Sequence, residues 1–298
     1  MRVFLTGATG FIGSHIVPQL LGGGHSVLGM TRSAAGAEAL AAAGASTHHA
    51  ELGDLAAIRA GAAQADAVIH TAFDHDFSKF AANCEQDRQV IEALGEELKG
   101  SNRPLLITSG VGMGGQDDGG PALETIFNAG HPNPRIASEL AGLAVRDAGV
   151  DVRVVRLPQV HDTTRQGLIT YSIAIGREKG TAAYIGKGLN RWSAAHVADV
   201  AELYRLVLEK GQAGERYHAV AEEGVVARAI AEVVGAGLGV PVKSISPDEA
   251  ADYFGWFGIF AGLDMAASSA LTRERLQWNP TGPGLIEDLE AHDYSSAQ

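Results

Sequence analysis

One cysteine, Cys84, stands in a chain of 298 residues, so no disulfide can form within it. That scarcity points to a reducing compartment and to a cytoplasmic protein. Basic groups are also few: 23 lysines and arginines face 35 aspartates and glutamates, a formal charge of −12. So negative a chain repels phosphate polymers and anionic lipid headgroups, and neither nucleic acid nor a membrane surface is expected as a partner. No apolar run approaches the roughly 20 residues that a membrane-spanning helix needs. Residues 2–6 already read as a strand, which leaves no room for a secretory leader. His48 and His49 are adjacent on an expected strand and point to opposite faces, and no Cys/His ligand spacing occurs, so no metal is expected. A Gly-x-Ser-x-Gly nucleophile turn is missing too. What is present is a globular composition, 46% hydrophobic and 19% charged, enough for a core that needs no covalent or metal staple.

The first half alternates two periodicities. Strands are expected at 2–7, 25–32, 46–52, 66–73, 104–110 and 150–158, with helices at 11–24, 37–44, 54–61, 79–99 and 135–149 between them. Strands joined through helices imply right-handed crossovers and a parallel sheet covered on both faces. After Pro158 the rhythm changes: a strand, a loop and a long helix fill 181–211, another strand is expected at 215–223, and short helices broken by glycine and proline follow. The Gly-rich stretch 110–120 reads as a mobile loop.

The stretch "TGATGFIG" joins the first strand to the first helix. Gly7 permits the tight turn, Gly10 lets backbone approach a pyrophosphate, and Gly13 lets helix and strand pack closely. Free N–H groups and the positive dipole end of the helix then face the phosphates. A dinucleotide is therefore the expected cofactor. An acid at the end of the second strand would favour NAD, but here Arg32 and Ser33 stand there, suited to the 2′-phosphate of NADP. NADP is expected, with NAD as the alternative. Asp54 and Leu55 after the third strand flank the adenine in this reading, unless Asp54 only caps the next helix.

With these motifs, and with "GDL" at 53–55, "VIHTAF" at 68–73, "LLITSG" at 105–110, "VVRLP" at 154–158 and "RWSAAHVADVAELY" at 191–204, the chain resembles the extended and atypical short-chain dehydrogenase/reductases, also called the NAD-dependent epimerase/dehydratase family. The resemblance implies an α/β fold, a Rossmann-type doubly wound parallel sheet with a small C-terminal substrate lobe. Residues 1–160, continued by parts of 191–222, would form the dinucleotide-binding core; 161–190 and 223–298 would form the lobe. Cofactor contacts are then expected at Gly7, Thr9, Gly10, Phe11, Ile12, Arg32, Ser33, Asp54, Leu55, Ala72, Phe73, Glu139 and Pro158. The resemblance also suggests a homodimer through the fourth and fifth helices.

The family pairs a tyrosine, which moves a proton, with a lysine four residues on. Here "NPRIASELAG" puts Arg135 and Glu139 in those slots, and no tyrosine occurs between residues 1 and 170. Arginine stays charged and carries protons poorly, but it donates hydrogen bonds to a developing oxyanion. Glu139 could accept from ribose hydroxyls, or the two could pair with each other on one helix face. A proton would have to come from Ser109, from His75 between Asp74 and Asp76, or from His161 beside Asp162. In the register of the family, the usual serine slot falls on Ser109 or on Gly110, and the second alignment leaves Ser109 as packing. Tyr171 and Tyr184 are further candidates in the lobe; Trp192 reads as core or pocket wall, and 252–265 as an aromatic cover or packing element.

The expected activity is hydride transfer between NADP and a small carbonyl- or alcohol-type substrate, with a non-standard proton donor. Two alternatives stay open: a cofactor-binding sensor or scaffold without chemistry, and a sugar-nucleotide epimerase or dehydratase, which would need the missing tyrosine.

Overall fold

The computed structural model describes residues 1–116 and 118–295; Asp117, within the Gly-rich stretch, lies outside the described residues. The strands are β1 (Arg2–Thr6), β2 (Ser26–Thr31), β3 (Ser46–His49), β4 (Ala67–His70), β5 (Leu105–Gly110), β6 (Val152–Leu157), β7 (Gln159–His161), β8 (Ala182–Ile185), β9 (Arg191–His196), β10 (Arg216–His218), β11 (Glu222–Val226) and β12 (Val242–Ile245). The helices are α1 (Phe11–Gly22), α2 (Ala34–Ala42), α3 (Leu55–Ala62), α4 (Phe80–Leu98), α5 (Ile136–Asp147), α6 (Ile169–Lys179), α7 (Val197–Lys210), α8 (Ala227–Leu238), α9 (Ala250–Phe254), α10 (Gly258–Ala261), α11 (Ala270–Leu276) and α12 (Leu285–Glu290).

Seven strands form one parallel sheet in the order β10-β6-β5-β4-β1-β2-β3. Alternate residues supply two cores, as the pleat requires. Val3, Leu5, Ile69, Leu106 and Val155 pack with α1 and α7. Phe4, Val68, Leu105, Ile107 and Val154 pack with α3, α4 and α5 on the other face. Chain order reverses between β1 and β4, so the cleft for a ligand opens at the carboxyl ends of these strands.

A second assembly is built from a three-stranded sheet, β11-β9-β7, and a two-stranded one, β12-β8. β9 occupies part of a span read as loop, because Arg191–His196 carries no β-branched residue; its partners β7 and β11 create the strand. The 12-residue α8 is longer than the short helices expected from there on, while α9, α10, α11 and α12 are short as expected. Its internal glycines admit neighbours: a Cβ at Gly237 would lie 2.2 Å from the Tyr294 ring, and one at Gly235 2.4 Å from Val242. Residues 111–114 of the Gly-rich stretch form a short 3₁₀ turn with Val111, Met113 and Gly114 buried, where a mobile loop was expected. No described helix is long and apolar enough to cross a membrane.

Candidate functional site

The glycine turn has the geometry that a pyrophosphate requires. Gly7 has φ +70°, and a Cβ there would meet Ala72 N at 2.8 Å. At Gly13 a Cβ would fall 2.1 Å from Gly7 O. Thr9 and Gly10 are exposed, Phe11 and Ile12 partly so. Gly10 caps α1 without a side chain, so the first N–H groups of the helix have no side-chain acceptor among the described residues. The residues present fit a dinucleotide phosphate pair. At the end of β2, Arg32 is exposed and has no ion-pair partner among the described residues, while Ser33 caps α2 by accepting from Gly36 N at 3.1 Å. Asp54 caps α3, taking the Ala57 N–H at 2.9 Å, and with His49, Ala50, Glu51 and Gly53 it lines an open depression beyond β3; Leu55 follows as the first residue of α3.

β4 stops at His70 rather than at Phe73, so Ala72 and Phe73 belong to a loop at the sheet edge. Asn83 Nδ2 pins that loop by donating to Asp74 O and Asp76 O at 3.1 and 3.0 Å. Above it, Arg135 is held on several sides. Its guanidinium lies 4.2 Å from the Phe73 ring centroid. Nη2 donates to Thr108 O at 3.0 Å. Nη1 contacts Asp87 Oδ2 at 2.5 Å and also reaches Ser138 Oγ, which donates to the same carboxylate oxygen at 2.6 Å. Asp87 Oδ1 lies 3.0 Å from His70 Nε2, and His70 Nδ1 lies 2.7 Å from Thr6 Oγ1. Burial alone would raise the Asp87 pKa, but the Arg135 charge, with hydrogen bonds from His70 and Ser138, holds the carboxyl well below the usual range. Arg135 is thus a rigid cation with its side chain 14% exposed, backed by a chain of buried groups. Asp87 and His70 escaped the sequence reading. The signal for Asp87 was its place on the buried stripe of α4 with Cys84, Ile91, Leu94 and Leu98, where an acid needs a partner.

Glu139 does not share this site. It is 1% exposed, Oε1 accepts from Arg156 Nε at 2.7 Å, and Oε2 accepts from Arg156 Nη2 at 2.9 Å and Arg216 Nε at 2.8 Å. Desolvation opposes its ionisation, yet the two guanidiniums hold its pKa below the usual value. The expected acceptor for ribose hydroxyls is therefore corrected to an internal anchor, and no Arg135–Glu139 pair forms. Arg156 is fully buried and also donates to Ile126 O and Met113 O, tying the 111–128 segment to the sheet. Ser109 is corrected as well. By strand alternation it falls on the α5 face, 3% exposed and beside Glu139. Gly110, where a Cβ would meet nothing within 4 Å, faces open space instead.

The histidines differ from expectation too. His161 is fully buried, bound through Nδ1 to Asp288 Oδ2 at 2.6 Å, and burial lowers its pKa despite that carboxylate. Asp162, the expected partner, accepts backbone N–H groups of Thr164 and Arg165 instead. His75 is exposed on the pinned loop, with its ring 5.4 Å from that of Phe73. Crowding by its neighbours and then the Arg135 charge lower its pKa, against the rise expected from the flanking acids. Those acids serve the loop: Asp74 accepts from Asp76 N and Asp76 from Ser78 N. Tyr204 is wholly buried against Thr108, and burial raises its pKa. Pro158, half-buried, joins β6 to β7. No group of metal ligands occurs among the described residues.

The chain is 44% identical over 295 residues to an uncharacterized protein of Schizosaccharomyces pombe, covering 99% of this chain and all of that one. A Saccharomyces cerevisiae protein, also uncharacterized, is 40% identical, covering 98% and 99%. More distant relatives are the sterol-4-alpha-carboxylate 3-dehydrogenase (decarboxylating) of Dictyostelium discoideum, 27% identical over 75% of this chain and 72% of that one, and a 4-hydroxy-2-methyl-3-oxo-4-farnesyl-3,4-dihydroquinoline-1-oxide ketoreductase of Stigmatella aurantiaca, 26% identical over 73% and 67%. The fold is that of the dTDP-glucose 4,6-dehydratase of Streptomyces venezuelae solved with NAD, with a TM-score of 0.77 at 21% identity, covering 98% of this chain and 96% of that one. The Thermus thermophilus UDP-glucose 4-epimerase in complex with NAD gives 0.75, also at 21%, with full coverage of both chains. The sequence pattern of one family spans residues 3–220, and with it the chain belongs to the NAD dependent epimerase/dehydratase family.

Proposed function

We propose that this chain is an NADP-dependent oxidoreductase that transfers a hydride between nicotinamide and a carbonyl or alcohol group, with Arg135 as the group that meets the substrate oxygen. The observation that carries the reading is the fixation of Arg135 by Asp87, Ser138, Thr108 and Phe73 at the carboxyl ends of β4 and β5. A guanidinium tied down in this way needs no reorganisation when negative charge develops on a carbonyl oxygen. Bound nicotinamide supplies or takes up the hydride. Gly7, Gly10 and the α1 N-terminus hold the phosphates, and Arg32 favours the 2′-phosphate of NADP. His75, on the same loop as Phe73, is the titratable group assigned to proton transfer. Two relatives carry names that describe a dehydrogenase and a ketoreductase, in keeping with this reaction class.

A second reading, cofactor binding without chemistry, draws on Glu139, which fills the family's lysine slot with an internal ion cluster. NADPH oxidation at 340 nm across a panel of aldehydes and ketones separates the two. Turnover supports the oxidoreductase; tight NADPH binding with no turnover on any carbonyl supports the second reading.

A further inference from the structure

The chain is poor in aromatics, yet six of its nine phenylalanines (Phe73, Phe77, Phe80, Phe254, Phe257 and Phe260) belong to one cluster of ring contacts. It begins under Arg135: Phe73 carries the guanidinium and packs on Phe80, which packs on Phe77. Phe77 then stacks on Trp256 with centroids 5.2 Å apart and planes 17° apart, and meets Tyr171 edge-on at 5.8 Å. Trp256 comes from the α9–α10 segment and Tyr171 from α6, so the rings bridge the pinned β4–α4 loop to the second assembly. Trp256 remains 45% exposed, and Ile259 and Leu263 beside it are 71% and 46% exposed. Behind Phe257 lies a cavity of about 40 Å³, lined also by Trp192, Phe254 and Ser172, and the buried Trp192 Nε1 has no hydrogen-bond partner among the described residues.

We infer that the substrate of this site is an aromatic carbonyl compound, its oxygen at Arg135 and its ring system against Phe77, Trp256 and Tyr171. The inference rests on the oxidoreductase reading for its chemistry. The physical ground is complementarity. The rings form a continuous apolar path that starts at a single fixed cation, which suits a ligand with one polar end and a flat apolar body. The acids of the loop do not disturb it, because Asp74 and Asp76 are engaged with loop N–H groups and Lys79 pairs with Asp76. A substrate ring inserted beside Trp256 covers apolar surface that is now exposed.

The test compares acetaldehyde with 2-naphthaldehyde and 2-acetylnaphthalene in NADPH oxidation, for wild type, Phe77→Leu and Trp256→Leu. Tryptophan fluorescence is titrated in parallel with naphthalene, which cannot be reduced. Both substitutions lie at partly exposed rings, so folding is retained and is checked by the unfolding midpoint. The expected result is a kcat/KM for the naphthyl compounds at least tenfold above that for acetaldehyde. Each substitution should lower the naphthyl value about tenfold and the acetaldehyde value far less, and Phe77→Leu, which keeps every tryptophan, should weaken naphthalene binding. Equal use of acetaldehyde and naphthyl compounds, unaffected by either substitution, overturns the inference and leaves the oxidoreductase reading intact. Naphthalene binding that depends on Phe77, without turnover of any carbonyl, sustains the aromatic site and overturns the reaction. With neither binding nor turnover, both fall.

Discussion

Arg135 and Glu139, four residues apart at the start of α5, share no partner among the described residues: Arg135 is bound to Asp87 from α4, and Glu139 to Arg156 from β6 and Arg216 from β10. The two positions that act together in the family pattern have become two separate electrostatic stations. One faces the cleft and the other fastens the sheet to the 111–128 segment.

Rebuilding the family lysine should therefore damage the protein. Glu139→Lys places a third cation against Arg156 and Arg216, and Glu139→Gln leaves the buried Arg156 and the partly buried Arg216 short of a counter-charge. Loss of one partner of a buried ion pair costs about 3–5 kcal/mol. Urea unfolding should show a large drop for Glu139→Gln and little folded protein for Glu139→Lys. Wild-type midpoints in both would mean that the cluster contributes nothing to stability.

Arg32→Ala should weaken NADPH by about 1–3 kcal/mol through the loss of a charge-assisted contact, with little change for NADH. The measurement is a pair of binding titrations. Equal losses for both cofactors, or tighter NADH binding by the wild type, would remove Arg32 from the 2′-phosphate site.

His218 links pH to stability. Burial, reinforced by the Arg156 charge, pushes its pKa down to about 3. Its Nε2 accepts from Arg156 Nη1 at 3.3 Å, and its Nδ1 donates to Ser268 O at 2.8 Å, an arrangement that a second proton would break. The folded value lies below the ordinary value of about 6.5, so the unfolded chain binds more protons between those limits. Stability from this residue is complete above about pH 6.5 and is lost as pH falls toward 3. Urea midpoints between pH 7 and 4 should fall less steeply for His218→Gln than for wild type; parallel slopes would contradict the linkage.

Much of the fold was legible because it follows from local rules. Gly7 and Gly13 are dictated by a positive φ and a backbone contact, and the strands by alternating apolar residues. The chemistry was not legible, because its pairings are long-range. Asp87 lies 48 residues from Arg135, and His161 finds Asp288 across 127 residues. A nearer acid, Asp162, was the natural guess, and the loop backbone claimed it instead. Arg156 within the run "VRVVRLP" was the overlooked sign of an internal ion cluster, since a charged residue inside a central parallel strand has to be paired.

If His75 delivers the proton, its lowered pKa sets the pH profile. Carbonyl reduction requires the protonated ring, so kcat/KM should fall as pH rises, with an apparent pKa below 6.5. His75→Gln should flatten that limb and slow reduction by about 10²–10⁴-fold with NADPH affinity kept. An unchanged profile would assign the proton to Tyr171 or to water.

The central claim is that Arg135 stabilises the substrate oxygen in place of a tyrosine. Single-turnover reduction by Arg135→Gln, with a saturating aromatic aldehyde and NADPH, tests it most directly. The account predicts a rate lower by about 10²–10³-fold with the NADPH dissociation constant unchanged. A near-normal rate, or a loss confined to NADPH affinity, would contradict it.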